Sequence, residues 1–522
     1  MKTNFARLFG NLVLRFGDRE ALVNIERNRR YTYREFHSVT NRIVNMMRER
    51  LQLRRGDIYL CVLENDNMSL LHFWTALKGD AAAAYTNFRD SFDEHRRQAE
   101  YVHPKVVFIE TALLDRYYGM LRDLGATVVC MDPPAEQRDG LHYFWDLMEG
   151  VPDHDPGVEN DAQKDILVYR FTGGTTGAGK CAQYTMDNWL ACRDTMFMEA
   201  EQVQLPDTRM LHMAPISHGS GFGVLATLFR GACTVTQNLP DLALMCRNVE
   251  AEKITMTLLL PTLIYRLLDM PEAANYDLSS LQTIAYGGAP MSPAKLRRAQ
   301  ERFGNIFVQY YGATESLQSV AILGKSDHLT ATDAQLGSAG RLQPHVEVRI
   351  VDNDGNDAAP GTVGEIWARS RGVISGYYKN PEATAAEFED GFWKSGDLGY
   401  IDGDGYVHLV DRKKDMIITG GFNVYAIEVE AALNAHPAVA MSAAVGVPNE
   451  EWGEAVHAEV QLRSGAQVSE QDLIAFVKER LGRFKGPKSI TFVEALPVSV
   501  VGKVLRRQVR DKYWQGKGRH VG

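Results

Sequence analysis

The stretch F-T-G-G-T-T-G-A-G-K-C, Phe171 to Cys181, sets four glycines, three threonines and one lysine directly behind the apolar, strand-like run Ile166 to Tyr169. Such a backbone lets N–H groups close on phosphate oxygens with no side chain intervening, so a phosphate-binding turn is the first expectation. In one frame Gly174 to Lys180 has the P-loop spacing G-x-x-x-x-G-K, but that motif continues with Ser or Thr, whose hydroxyl holds Mg²⁺. Here the residue is Cys181, and a thiol is a poor ligand for so hard a cation. Alone, the stretch fits a nucleotide site or a flexible turn, and residues further along must decide.

The chain around it has 522 residues, 45% hydrophobic and 24% charged, which is ordinary for a soluble protein and longer than one compact domain. Lys+Arg 57 against Asp+Glu 66 leaves a net charge of −9. No overall basic field argues for nucleic acid or an anionic membrane as partner, and a small ligand is expected. The six cysteines, at 61, 130, 181, 192, 233 and 246, form no C-x-x-C pair and no zinc-type spacing, which reads as reduced thiols in a cytoplasmic enzyme. The N-terminus lacks a signal-type apolar block, and no run is long and apolar enough for a transmembrane segment. Oligomeric state is not readable.

Apolar spacing predicts an amphipathic helix over Glu35 to Leu51. Strand-like runs at Ile58 to Leu63, Val106 to Ile109 and Thr127 to Met131 alternate with helical ones at Ser69 to Lys78 and Leu113 to Leu124. That alternation predicts α/β layers on a mainly parallel sheet. After a polar connection from Val151 to Gln163, a second alternation runs from Asp187 to Ile322. Its strand-like pieces Leu281 to Tyr286 and Ile306 to Tyr310 end near glycines, where α/β folds admit ligands. After about Asp333 the texture becomes that of a small antiparallel β region, and beyond Arg412 that of a compact α+β unit.

In the frame T-[SG]-G-T-T-G-x-x-K, the stretch from Thr172 to Lys180 resembles the signature loop of the adenylate-forming superfamily, which includes acyl- and aryl-CoA ligases, peptide-synthetase adenylation domains and beetle luciferase. The partners of that loop follow in the family's order. His218 lies in APISHGSGFG, Gly288-Ala289 in AYGGAP, and Tyr311-Gly312-Ala313-Thr314-Glu315, preceded by Tyr310, matches Y-G-x-T-E. Asp397 lies in WKSGDLG, Arg412 and Lys414 in DRKKDMIITGGFNVYAIEVE, and Lys503 in GKVLRR after Leu496-Pro497. Singly, His218 fits a turn histidine, Asp397 a turn carboxylate, Glu315 a helix-start acid, and Lys503 with the arginines after it a soluble tail. The ordered set, about two thirds of the chain, is not explained that way.

The resemblance implies a large N-terminal domain, residues 1–413, carrying the antiparallel region, and a small mobile α+β C-terminal domain, 414–522, turning about a hinge at Lys414. It implies ATP, Mg²⁺ and CoA as cofactor and co-substrates. The loop, through Thr172, Gly173, Gly174, Thr175, Thr176, Gly177 and Lys180, would cover the pyrophosphate. Gly288, Ala289, Tyr310, Tyr311 and Gly312 would hold adenine, with Tyr311 offering its aromatic face, and Asp397 and Arg412 would hold the ribose. Thr314 would donate to the α-phosphate and Glu315 would hold Mg²⁺. Lys503 would neutralise the carboxylate and α-phosphate oxygens, and Gly420-Gly421 would let a pantetheine arm pass. Two departures stand out: Gly179 where the family commonly has Pro, and Cys181 where it commonly has Gly, which predicts a looser loop.

The acid pocket implied by the family lies beside His218, Gly219, Gly221, Tyr286 and Gly287. With no Asp in the His218 turn to capture an ammonium, and no tryptophan pair to close the pocket on acetate, an apolar fatty, aryl or polycyclic acid is expected. The expected activity is acid:CoA ligation with release of AMP. The alternatives are transfer of the acyl group to a carrier protein or partner enzyme, a nonenzymatic nucleotide- or acyl-binding protein, and a P-loop nucleotidase.

Overall fold

The structure is a computed structural model that describes residues 1–172, 180–198, 206–317, 319–420, 422–499 and 503–515. The apolar runs form two large, mainly parallel sheets. In the first, of seven strands, the order is Cys181–Thr185, Ile166–Phe171, Ala82–Tyr85, Ile58–Val62, Val106–Ile109, Thr127–Cys130 and Leu141–Tyr143. All pairs are parallel except Ile166–Phe171 with Cys181–Thr185. Ile58–Val62, Ala82–Tyr85 and Val106–Ile109 are buried along their whole length, as strands covered on both faces must be. The antiparallel return after the glycine-rich stretch disposes of the P-loop reading, because that motif leads from its strand into a helix.

The second sheet has nine strands in the order Arg341–Leu342, Ala321–Leu323, Phe307–Tyr311, Thr283–Gly287, Met256–Leu259, Arg209–His212, Cys233–Thr236, Glu20–Asn24 and Arg29–Thr32. Its inner strands are parallel, and antiparallel pairs close both edges. The helix expected from Glu35 runs over Tyr33–Glu49, because Thr32 and Glu35 form a reciprocal capping box that starts it earlier. The helical run over Ser69 to Lys78 is instead two helices, Asn65–Leu71 and Phe73–Lys78, parted at His72. His72 takes extended backbone there, and its Nε2 donates to the Ile216 carbonyl at 2.8 Å.

The antiparallel region is a five-stranded sheet of Glu347–Val351, Gly364–Arg369, Phe392–Ile401, Phe388–Glu389 and Val407–Arg412. A second five-stranded sheet forms the small C-terminal unit: Phe422–Val424, Ile417–Thr419, Gly453–Leu462 and Val439–Asn449 in order, with Ser489–Phe492 parallel to Gly453–Leu462. Helices Ala426–Asn434 and Glu470–Leu481 cover it through Val429, Leu433, Leu473 and Val477, all fully buried. The C-terminal unit meets the rest through polar contacts. Lys295 Nζ donates to the Ala440 carbonyl at 2.5 Å, and Arg463 pairs with Asp269. No helix among the described residues is long and apolar enough to cross a membrane.

Candidate active site

Strand ends of both large sheets, the antiparallel region and the C-terminal unit converge on one place. The two ends of the glycine-rich stretch are tied there, with the Thr172 N–H donating to the Lys180 carbonyl at 2.8 Å. Gly173, Gly174, Thr175, Thr176 and Gly177 lie outside the described residues, as do Gly179 and Gly421. Cys181 opens the following strand, fully buried with Tyr169 and Phe171, and burial pushes its thiol up to about 12. It is therefore a core side chain of that strand, beyond the loop itself.

Lys180 forms an ion pair with Glu387 and sits 5.0 Å from the centre of the Tyr377 ring. The Tyr377 hydroxyl lies 2.5 Å from Glu387 Oε2 and 2.8 Å from Glu315 Oε1. Burial raises the Glu315 carboxyl, against the lowering effect of the Tyr377 hydrogen bond. Beside Glu315, the Thr314 carbonyl accepts from the Tyr184 hydroxyl at 2.7 Å, which pins the turn after strand Phe307–Tyr311.

Asp397 and Arg412 face each other across the antiparallel sheet, Arg412 Nε donating to Asp397 Oδ1 at 2.5 Å. The Tyr311 hydroxyl donates to Asp397 Oδ2 at 2.8 Å, and the ring itself is buried among Val320, Ala321 and Trp393. The Tyr311 hydroxyl is thus engaged with Asp397 while its ring packs in the core. Burial raises the Asp397 carboxyl, and the adjacent Arg412 opposes that.

Lys503 reaches this cluster from the C-terminal unit. A methyl group on Gly288 would lie 3.2 Å from Lys503 Cε and 3.5 Å from its Nζ, and Gly288 has φ +74°. Lysine and glycine therefore lie against each other. Burial lowers the Lys503 ammonium, Arg412 lowers it further, and Asp397 and Glu315 oppose both.

The His218 imidazole is held by Ser217 Oγ at 3.0 Å from Nδ1, and burial brings it down to about 3, so it is neutral at pH 7. Its turn needs glycine, since a methyl at Gly221 would sit 2.0 Å from the Ile216 carbonyl oxygen, while Gly219 is exposed. Gly287 is equally constrained, since a methyl there would sit 2.3 Å from the Tyr310 carbonyl oxygen. The Tyr286 side chain does not line this space: it is fully buried and its hydroxyl meets His328 Nε2 at 3.0 Å. Ala289, Tyr310 and Gly312 remain half-buried or exposed at the strand ends. Lys414 is exposed between Arg412 and the C-terminal sheet, and Gly420, φ +56°, donates its N–H to the Trp452 carbonyl at 2.9 Å.

A family model for AMP-binding enzymes matches residues 11–378, and one for the C-terminal domain of the same enzymes matches 428–503. The chain belongs to the AMP-binding, adenylate-forming enzymes, of the CoA-ligase type. It is 38% identical to the medium/long-chain-fatty-acid–CoA ligase FadD8 of Mycobacterium tuberculosis over 70% of this chain and 65% of that protein. It is 34% identical to an indoleacetate–CoA ligase of Aromatoleum aromaticum over 81% of this chain and 82% of that one. The crystal structure of ATP-bound MatB from Rhodopseudomonas palustris superposes with a TM-score of 0.86 at 28% identity, covering 97% of this chain and 99% of that one.

Several residues of this AMP-binding enzyme's site carry no sequence motif. Tyr377 and Glu387 connect Lys180 to Glu315. Arg506 is no tail charge: it is buried against Glu430 at 2.6 Å and Asp411 at 3.2 Å, anchoring the helix Arg506–Tyr513 that follows Lys503. Among the described residues, one carboxylate group has metal-like spacing, Glu64, Asp66 and Glu110, and the Arg27 guanidinium already fills it at 2.5 Å from Asp66 and 3.0 Å from Glu110.

Proposed function

We infer that the enzyme is an AMP-forming acid:CoA ligase acting on an apolar carboxylic acid of fatty, aryl or polycyclic type. The acid's carboxylate attacks the α-phosphorus of ATP, pyrophosphate leaves, and the acyl-adenylate then passes its acyl group to the CoA thiol with release of AMP. The observation that carries the reading is Lys503 lying on Gly288 beside Asp397, Arg412 and Glu315. A cation delivered among preorganised polar groups is what two converging anions require.

In this reading Lys503 neutralises the carboxylate and α-phosphate oxygens, and Thr314 donates to the α-phosphate. Asp397 accepts the ribose hydroxyls, and its orientation is fixed by Arg412 and the Tyr311 hydroxyl. Gly288, Ala289, Tyr310, Tyr311 and Gly312 border adenine. Lys180, with the loop from Thr172, meets the pyrophosphate after leaving Glu387. Neutral His218 shapes the acid pocket with Gly219, Gly221, Gly287 and the backbone of Tyr286. The Glu315 carboxylate, with Glu387 close by, is an all-oxygen donor set suited to Mg²⁺. Bound there, the ion would neutralise phosphate charge.

For the thiol step Lys503 must leave. The two-domain division at 1–413 and 414–522, a turn about Lys414, and a thiol passage at Gly420-Gly421 are parts of the same proposal. The polar character of the contacts at Lys295 and Arg463 supports it, since such interfaces part readily. A cytoplasmic setting follows from CoA use, and an acyl carrier protein is the rival acceptor. The test is a panel of carboxylic acids with ATP, Mg²⁺ and CoA, quantifying pyrophosphate, AMP and acyl-CoA. Equal amounts of the three for one acid class are expected. Pyrophosphate without acyl-CoA would move the acceptor to a carrier protein, and no pyrophosphate with any acid would overturn the reading.

A further inference from the structure

Arg170 occupies the middle of strand Ile166–Phe171, between Tyr169 and Phe171, and is 3% exposed. No carboxylate among the described residues pairs with it, and its Nη1 is buried without a hydrogen-bond partner. Its surroundings are uncharged. The guanidinium carbon lies 4.8 Å from the Phe222 ring centre and 5.8 Å from that of Trp189. Trp189 Nε1 is a second buried donor without a partner. His72, whose ring packs 6.1 Å from Trp189, spends its Nε2 proton on the Ile216 carbonyl, and burial keeps the ring neutral.

An arginine held without an anion in an apolar setting is unfavourable, and its charge is not lost by deprotonation. Buried donors in native proteins almost always meet an acceptor. Two unmet donors, one on a guanidinium 5.8 Å from the ring system that carries the other, therefore describe a place for an oxygen that the chain itself does not supply. That place is next to the acid pocket. Phe222, half-buried, belongs to the same glycine-rich turn as His218, and Cys192 Sγ donates to the Phe222 carbonyl at 3.6 Å, holding the turn against the helix that carries Trp189. The His218 ring feels the positive charge of both Arg170 and Lys503; Arg170 stands on the seven-stranded sheet, and Lys503 lies against Gly288 at the end of a strand of the other. Lys503 marks the reacting end. Arg170 then marks the remote end.

We propose that Arg170 is a specificity-determining residue of the acid pocket, and that the acid carries, on its apolar body and away from the reacting carboxylate, a second oxygen acceptor received by Arg170 and Trp189. The shared chemistry is an oxygen with negative or partial negative charge, whether a second carboxylate, a phenolate or a ring carbonyl. This rests on the ligase reading of the same site and deepens it by naming the substrate class. A site built to hydrogen-bond a substrate group discriminates strongly against the analogue without it, because its own buried polar groups are then left unpaired.

The test compares matched acids on one carbon skeleton: the parent monoacid and its ω-carboxylate, phenol and ketone derivatives. Pyrophosphate release is followed for the wild type, Arg170→Met and Arg170→Lys. In the wild type one oxygen-bearing derivative should exceed the parent in kcat/KM by on the order of 100-fold. Which derivative does so identifies the acceptor. Arg170→Met should collapse that ratio towards 1, mainly through KM, and Arg170→Lys should restore part of it. If no derivative exceeds the parent in the wild type, or if Arg170→Met lowers all acids in the same proportion, the proposal is overturned and a buried water is the partner of Arg170. The acids are also tested without ATP by thermal shift on both proteins. A derivative that raises the melting temperature of the wild type but not of Arg170→Met supports the proposal even if no acid is adenylated, the outcome that would sink the ligase reading. Equal shifts, or none, overturn it.

Discussion

Replacing Gly288 by alanine probes the contact on which the adenylation geometry depends. The glycine has φ +74°, and a β-carbon there would meet Lys503 Cε at 3.2 Å, Leu260 Cδ2 at 3.4 Å and Lys503 Nζ at 3.5 Å. Two separate penalties follow. Left-handed backbone disfavours an alanine by roughly 1–2 kcal/mol, a loss that falls on stability and on both half-reactions alike. The lysine contact is different, because it exists only while Lys503 lies in the site. Relieving it displaces the ammonium by a few tenths of an ångström, and misplacement of about 1 Å costs on the order of 100-fold, so adenylation should fall about 10-fold. Thioester formation from supplied acyl-adenylate should change by less than about 2-fold, since the lysine is then elsewhere. Pyrophosphate exchange and single-turnover thiolation are measured for Gly288→Ala, Lys503→Ala and the double variant. In the Lys503→Ala background the 10-fold effect should vanish, leaving only the loss of melting temperature. An equal adenylation loss in both backgrounds, or an equal loss in both half-reactions, would refute the contact as its cause.

Three further outcomes are expected. Tyr311→Phe removes the hydroxyl that holds Asp397 and should raise KM for ATP about 10-fold with little change in kcat, as fits one hydrogen bond to a charged group; an unchanged KM would deny it a role in nucleotide binding. Lys414→Pro, by stiffening the hinge, should spare pyrophosphate exchange and slow thiolation; slowing of exchange alone would remove Lys414 from that role. Lys295, buried at the contact with Ala440, titrates at about 7 against an ordinary 10.5. The closed arrangement then binds fewer protons than the open one between those values, so closure should strengthen as pH rises from about 7 towards 10.5. Fluorescence energy transfer between the two domains would follow it, and Lys295→Met should abolish the pH dependence.

The alternation of apolar runs announced both large sheets, and Val106–Ile109 begins and ends where the spacing put it. Asp397, Arg412, Glu315 and Lys503 were legible because each sits in a short motif, and the structure brings them together. Tyr377 and Glu387 were not, because their meaning is a contact with Lys180 nearly two hundred positions away, which no local spacing encodes. Arg506 was taken with its neighbours as possible tail charge for the same reason: Glu430 and Asp411 lie far off in sequence. Arg170 did leave a signal. An arginine between Tyr169 and Phe171, inside a run otherwise fit for a buried strand, breaks the pattern where a charge is least affordable.

Tyr377 has one hydroxyl proton and two carboxylates to satisfy, Glu315 and Glu387, both at hydrogen-bonding distance. It can donate to only one of them, so the second short oxygen–oxygen contact calls for another proton. The Lys180 ammonium lies against Glu387, while burial raises the Glu315 carboxyl, so Glu315 is the one of the two favoured to hold it. A carboxyl engaged in this way must give up its hydrogen bond before it can serve a cation. Were entry of the nucleotide to release a proton there, the heat of binding would depend on the ionisation enthalpy of the buffer that receives it.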